Sequence, residues 1–573
     1  MPPVDPEPLL PRVTRPARYS GGEWNADRRS WEEASLHVLL TYPDVYEVGM
    51  ASPAVHSLYA LLNARPSVLC ERLFAPWPDL AMALRELRLP LWSLETRHAP
   101  GEFHALLVWL PHELSYTTVL DVLDLGGIPL EAQQRERGPL VLVAGPAAAN
   151  PEPLADFVDL FLLGDAEAVL PDLLPLLERW AAGGAERRPL LREAAQVPGV
   201  YVPSLHAPRE GGGLAPLEGA PARPRFRWAV PLPPAPTAPV VPFVETVRDG
   251  VELELARGGD RLAEGGYLGP YRERSQEEVL AAAREALVNT GHRELFLSGE
   301  PAYPPRQLVQ SLRQSLPPEV AVRLGPLPPR EEWLAAAATA AHGQPTGALT
   351  LRLAAASERL RAALGEPMTD AEVARLADEA YARGWTSLRL QVTVGLPGEE
   401  RDDLTALVAL AQEVRRRGRF HHGGRAHARV EASLFVPRPW TPFQWAAQRE
   451  LPYLEEAASF LRNALKKGGV ELSCERPERA LLAATLARGD RRLGAAVRRA
   501  WELGARLETR REAFVWAVWE RALAEAGLAA EAYAGRERAQ DELLPWGHLD
   551  AGLDMAALWR RWQELQATLS PQG

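Results

Sequence analysis

Apolar runs and helical periods take turns along this chain. Within residues 1–205, short continuous apolar runs recur at Leu36–Leu40, Leu89–Leu94, Ala105–Leu110, Leu140–Val143 and Val158–Leu163. Between them lie stretches with helical spacing at Val55–Asn63, Pro78–Leu87, Tyr116–Leu125 and Glu167–Trp180. Strands buried on both faces read as continuous hydrophobic runs, so this alternation predicts an α/β fold with an open, doubly wound, Rossmann-like parallel sheet. Ligands of such sheets sit beyond the carboxyl ends of the strands. Those ends fall at Tyr42–Gly49, Leu110–Tyr116, Ala144–Asn150 and Gly164–Glu167.

Residues 206–243 read as a linker, with glycines at 211–213 and prolines dense over 231–239. Phe226 and Trp228 are expected to tack it against a domain face. A second strand–helix series follows over 244–440, with strands expected at Val251–Leu255, Glu294–Leu297, Ala321–Leu324, Leu349–Leu353, Ser387–Val394 and Arg429–Phe435. Ser275–Glu278 and Thr369–Glu372 fit the capping box, in which a hydroxyl and a carboxylate satisfy free backbone N–H groups. Six such units predict a partial (β/α)6 barrel, whose working residues would lie at the carboxyl ends of its strands. Residues 441–573 read as mostly helical.

At 573 residues with a net charge of −11, the chain is long enough for two to four domains. Its charge argues against a nucleic-acid-binding surface spread over the whole molecule and leaves room only for a local basic patch. DNA is not an expected partner. There are two cysteines, Cys70 and Cys474, in different predicted domains, which excludes a disulfide framework and suits a reducing, cytoplasmic setting. The opening residues lack the basic and apolar regions of a secretory signal, and the apolar runs fall short of a bilayer span, so no membrane partner is expected.

Several stretches carry a family resemblance: Tyr19–Asn25, Phe74–Asp79, Glu113–Tyr116 and Asn150–Asp156 in the first region, Leu297-Ser-Gly-Glu-Pro301 and Gly395-Leu-Pro-Gly-Glu399 in the second, and Thr441-Pro-Phe-Gln-Trp445 in the third. Together they resemble radical S-adenosylmethionine (radical SAM) proteins with an N-terminal cobalamin-binding-type domain, over roughly Arg18 to Asp554. The resemblance implies a loop after the first barrel strand in which three cysteines hold a four-iron four-sulfur cluster. Here those positions fall on Gly259, Ala263 and Gly266, and the loop is shortened by about four residues. Such clusters are held by thiolates, so no iron–sulfur cluster and no metal ligand are expected.

The remaining implications concern S-adenosylmethionine and cobalamin. Gly299 and Glu300 match the stretch that cradles the methionyl amino group, and Gly395, Pro397 and Gly398 match a turn near the adenosine. These five are the cofactor-binding candidates for S-adenosylmethionine. At the fourth strand end, Ala354 and Ala356 replace an expected acid and glycine. Cobalamin is a candidate for the first domain, although the D-x-H-x-x-G loop is absent, and the alternative is a domain kept for packing or partner recognition. The family's setting suggests RNA or a ribosome-associated protein as partner.

No other catalytic motif is present: neither a phosphate loop of the G-x-x-x-x-G-K type, nor H-E-x-x-H, nor G-x-S-x-G. His421, His422 and His427 lie in a segment rich in glycine and arginine that reads as a surface loop rather than a metal site. The cluster Arg488, Arg491, Arg492, Arg498 and Arg499 could meet phosphates, or could form a solvated helix face paired with nearby acids. The sequence thus points to a radical SAM scaffold without its reactive centre: a non-catalytic binding or regulatory protein, with a cobalamin- or S-adenosylmethionine-dependent enzyme as the alternative.

Overall fold

The computed structural model describes residues 3–184, 186–209, 213–259, 269–341, 345 and 347–570. Ala263 and Gly266 lie outside this set. The first domain is a six-stranded sheet of β1 (Leu36–Tyr42), β2 (Val68–Phe74), β3 (Ala105–Trp109), β4 (Leu140–Ala144), β5 (Leu160–Leu162) and β6 (Val200–Tyr201). Its order is β2-β1-β3-β4-β5-β6, parallel except for β6. Successive residues enter two different cores. Leu106 and Val108 face one, while Ala105, Leu107 and Trp109 face the other. Helices therefore cover both sides of the sheet, as continuous apolar runs require.

One strand differs from the sequence expectation. Leu89–Leu94 is not a strand. It runs beside the sheet edge, where Leu94 N–H donates to the Arg72 carbonyl at 3.0 Å. The strand is instead Val68–Phe74, whose pattern is interrupted by Glu71 and Arg72. Burial of that charge is compensated: Arg72 is almost fully enclosed between Glu95 (2.7 Å) and Glu23 (2.9 Å).

The linker is packed. It forms a hairpin of β7 (His206–Pro208) and β8 (Leu214–Pro216), and then Phe226 is buried while Arg227 pairs with Gly164 and Arg225 with Asp550. The second region contains β9 (Val251–Glu254), the short hairpin β10 (Ala256–Arg257) and β11 (Arg272–Glu273), then β12 (Glu294–Ser298), β13 (Ala321–Leu324), β14 (Ala348–Leu353), β15 (Ser387–Val394) and β16 (His427–Leu434). A further strand, β17 (Glu471–Cys474), extends this wall past residue 440. The parallel strands form two sheets, β13-β12-β9 and β14-β15-β16-β17, which meet at a Leu327–Leu351 bridge; the wall is open rather than a closed barrel.

The expected caps form. Ser275 and Thr369 accept from the N–H of Glu278 and Glu372. The helix Arg401–His422 carries His421 and His422 in its last turn, so these two are helical and not in a loop. His421 contacts Asp378 at 3.0 Å and His422 faces the Tyr381 carbonyl at 2.8 Å. The C-terminal region is mostly helical and shares one apolar core with the first domain, to which Trp519 and Trp546 contribute from one side and Leu120 and Leu123 from the other. No helix among the described residues is long and apolar enough to cross a membrane.

Candidate functional site

The barrel strands alternate in burial along most of their length. Leu349, Leu351 and Leu353 of β14, Leu388, Leu390 and Val392 of β15, and Val430 and Leu434 of β16 point out into a core formed with the surrounding helices. Their alternate neighbours point inward and are polar: Thr350 and Arg352, Arg389, Gln391 and Thr393, Glu431 and Ser433. Parallel register places them in layers, with Thr350 beside Arg389 and Arg429, and Arg352 beside Gln391 and Glu431. Across the lumen, Phe296 lies next to Arg323. A barrel interior is commonly filled with branched apolar side chains; this one mixes polar side chains such as Thr350, Arg352 and Gln391 with apolar ones such as Phe296 and leaves a cavity of about 1150 Å³.

Gly299 and Glu300 line this cavity. Gly299 has φ +90°, and a Cβ there would come within 2.4 Å of the Ala256 carbonyl oxygen, so the β12 turn needs glycine for backbone approach. Glu300 pairs with Arg352 of β14 inside the cavity, and its carbonyl accepts from Tyr271 Oη at 3.2 Å. A carboxylate oriented to accept from a ligand ammonium is thus already engaged by a guanidinium.

The Gly395–Gly398 turn is elsewhere. Gly395 N–H donates to Glu399 at 2.8 Å, and Arg359 donates to the Gly398 carbonyl at 2.9 Å. A Cβ at Gly398 would lie 2.1 Å from the Leu569 carbonyl oxygen, so the end of the last helix sits on the turn. Burial pushes the Glu399 carboxyl up to about 7. Pro397 stays half-buried beside the buried Leu396. Ala354 and Ala356 are buried among apolar neighbours. The structure therefore brings two of the five candidates into the cavity and leaves the other three outside it, with Gly398 under the end of the last helix and Gly395 against Leu454.

The flanks of the loop expected to hold cysteines in relatives are pinned. Gly259 N–H donates to the Gly269 carbonyl at 3.3 Å, and Arg257 and Arg272 on either side both reach Asp165 of the first domain. Cys70 is fully buried in β2, where its thiol is pushed well up by burial. Cys474 is half-buried on β17, with its thiol raised to about 11 for the same reason. Two thiols on separate sheets, with glycine and alanine at 259, 263 and 266, do not fit a cluster that needs three thiolates in one loop.

Sequence reading missed the residues that close the mouth of the lumen. His112, on the loop after β3, enters from the first domain, while Arg438 and Glu475 follow β16 and β17. Arg438 pairs with Glu113. His112 Nδ1 accepts from Leu114 N–H at 3.1 Å, and burial pulls its ring down to about 4, so the ring is neutral near pH 7. Burial raises Glu475 above the ordinary carboxylate range. None of the three lies on a strand, so the polar half of each alternating strand marks the lumen wall but not its mouth.

The crevice of the first sheet is filled. In a 2-1-3-4-5 order the strand order reverses between the parallel neighbours β1 and β3, and ligands bind outside their carboxyl ends. There Asp44 accepts from Thr509 Oγ1 (2.6 Å) and Arg510 Nε (3.3 Å), and Thr117 donates to the buried Glu508 (2.8 Å). A smaller cavity of about 310 Å³ remains beside Met50–Ser57 and β9, near the lower limit for ligand pockets. His56 there is committed to the Met50 carbonyl at 2.8 Å. Among the described residues, no group of three or more His, Cys, Asp or Glu is placed to hold a metal ion.

Residues 54–203 match the family of N-terminal domains of radical SAM proteins. An uncharacterized protein of Methanocaldococcus jannaschii is 22% identical over 477 residues, covering 80% of this chain and 89% of that protein. Among solved structures, the cobalamin-dependent S-adenosylmethionine radical enzyme OxsB with aqua-cobalamin bound aligns over 66% of this chain at 13% identity with a TM-score of 0.43. The chain spans about half the length of that structure, 52%.

Proposed function

We propose that this chain, whose N-terminal domain is that of radical SAM proteins, is a cluster-less binding or regulatory protein that holds a polar ligand in its barrel lumen and does not cleave S-adenosylmethionine reductively. The observation that carries this reading is the combination of an open lumen of about 1150 Å³ with a loop that offers no thiolate at 259, 263 or 266. S-adenosylmethionine is the first ligand candidate, with Gly299 and Glu300 as its contacts. Its affinity is expected to be low, because Arg352 competes for Glu300 and no cluster iron chelates the methionyl group. Cobalamin would require the segment around Thr509 to leave the β1–β3 crevice, so it takes second place.

The test is anaerobic reconstitution of the full chain with iron and sulfide. Bound iron, visible absorbance and 5′-deoxyadenosine formed after adding a reductant are then measured. The expected result is background on all three, with weak calorimetric binding of S-adenosylmethionine that Glu300→Ala reduces. A stoichiometric cluster together with deoxyadenosine would overturn the proposal. A second reading, an enzyme working without iron, draws support from His112 and Glu475 at the lumen mouth, a neutral imidazole and a carboxyl raised by burial. Turnover lost in both His112→Ala and Glu475→Gln would favour it.

A further inference from the structure

We infer that the outer end of the helix Arg401–His422 is a docking surface for single-stranded RNA. The observations lie at the opposite end of the barrel from the lumen mouth, because this helix runs into the start of β16, so the inference is independent of the ligand reading above. Phe420 is 82% exposed in the last turn of the helix. Arg416 sits one turn earlier on the same outward face, and Arg419 and Arg425 are exposed on either side. The neighbouring helix Leu451–Lys467 delivers Lys466 and Lys467, the chain's only lysines, and both are exposed. Arg415 ties the two helix ends together by donating to the Gly468 carbonyl at 3.2 Å.

The local charge is opposite to that of the molecule. Residues 413–425 carry Arg415, Arg416, Arg417, Arg419 and Arg425 against one carboxylate, Glu413, in a chain of net charge −11. From the packed neighbouring helix, Asp378 is taken up by His421 and Glu379 by Arg383. Glu413 engages Arg416 and Arg417, both at 2.7 Å. The other arginine-rich segment behaves differently. Arg491 binds Glu152, Arg492 binds Asp490, Arg498 binds Glu131 and Arg499 binds Glu525, so that segment is spent on internal pairing.

Cations in the last turn of a helix complement its dipole, which accounts for part of the pattern. It does not account for a bare phenyl ring among them, or for two helices bringing cations to one place. An exposed ring with guanidinium groups on its own helix end and ammonium groups on the adjoining one is the arrangement that unpaired nucleotides use: bases stack on the ring while phosphates meet the cations. Duplex hides the base faces and leaves only phosphate contact. The donors around the ring can also meet a 2′-hydroxyl.

Fluorescence anisotropy of the full chain with a short, unstructured, labelled RNA tests this. Phe420→Ala should weaken binding by about 5- to 160-fold, the range of one lost base stack, and Phe420→Trp should restore it. The double variant Arg419→Gln with Arg425→Gln should reduce the slope of log affinity against log salt by about 1.4, the loss of two phosphate contacts on a single strand. Because these side chains are exposed, melting temperatures should stay unchanged. Equal affinity for a duplex of the same length, or wild-type affinity in Phe420→Ala, would overturn the proposal and leave a solvated basic face.

Discussion

The sheet of the first domain and the open barrel wall of the second region carry opposite solutions at the carboxyl ends of their strands. In the first, both faces are apolar, and the crevice where a ligand would bind is filled by Glu508, Thr509 and Arg510 of the C-terminal region. In the second, one face of each strand is apolar and the other polar, and the space they enclose stays open. The same secondary structure thus yields a structural slab in one case and a chamber in the other. What decides is the inward half of each strand. Polar inward side chains hold water or a ligand, whereas apolar ones demand a covering layer.

The contrast can be broken most forcefully at the shared core. Trp519 is fully buried where the C-terminal helices pack on the first domain. Trp519→Ala should cost about 3–5 kcal/mol and melt the first domain and the C-terminal helices in one transition. Separate transitions in calorimetry, with the first domain unaffected, would show that the slab stands without its cover.

The next effect is on pH dependence. Burial pushes the Glu508 carboxyl up to about 7, above its ordinary value near 4.5, against the opposing hydrogen bonds from Trp519 and Thr117. The folded state therefore holds a proton that the unfolded chain has lost between those values, and stability falls as pH rises through that window. The contribution reaches about 3 kcal/mol at most. Glu508→Gln should flatten urea stability between pH 5 and pH 8 (an interval set by roughly these two pKa values). An unchanged slope would remove Glu508 from the account.

Two lumen variants sharpen the other side of the comparison. Gly299→Ala meets the Ala256 carbonyl and an unfavourable φ, so it should destabilise by about 1–3 kcal/mol and abolish ligand binding in the lumen, checked by chemical denaturation and calorimetry. Arg389→Gln is the mildest. Its side chain is 43% exposed and only 3.6 Å from Glu431, so stability should move by less than about 0.5 kcal/mol while affinity for a polar ligand falls. A large stability loss in Arg389→Gln would mean that the lumen is a packed core after all.

Much of the fold was legible because local and global signals agreed. The helices Pro78–Leu87 and Tyr116–Leu125 and the capping boxes at Ser275 and Thr369 form where the pattern placed them. The strand Val68–Phe74 was hidden because Glu71 and Arg72 interrupt its apolar run, and only tertiary structure supplies Glu23 and Glu95 to compensate Arg72. The candidate site was half legible. Gly299 and Glu300 could be found from a local motif, but the cover over Gly398 comes from residue 569, and the lumen mouth joins residues 112, 438 and 475. Such separations leave no trace in periodicity. β17 escaped for a similar reason, being four residues long inside a helical region.

The helix end lying on the Gly395–Gly398 turn has one more consequence. Leu569 and Arg359 hold that turn from within the same chain. Towards any free molecule seeking the turn they are tethered competitors, present at an effective concentration of millimolar order whatever the dilution. A soluble ligand can win there only by binding tightly enough to displace a neighbour that never diffuses away. Removing the last helical turn would therefore uncover this turn without altering a single residue in it.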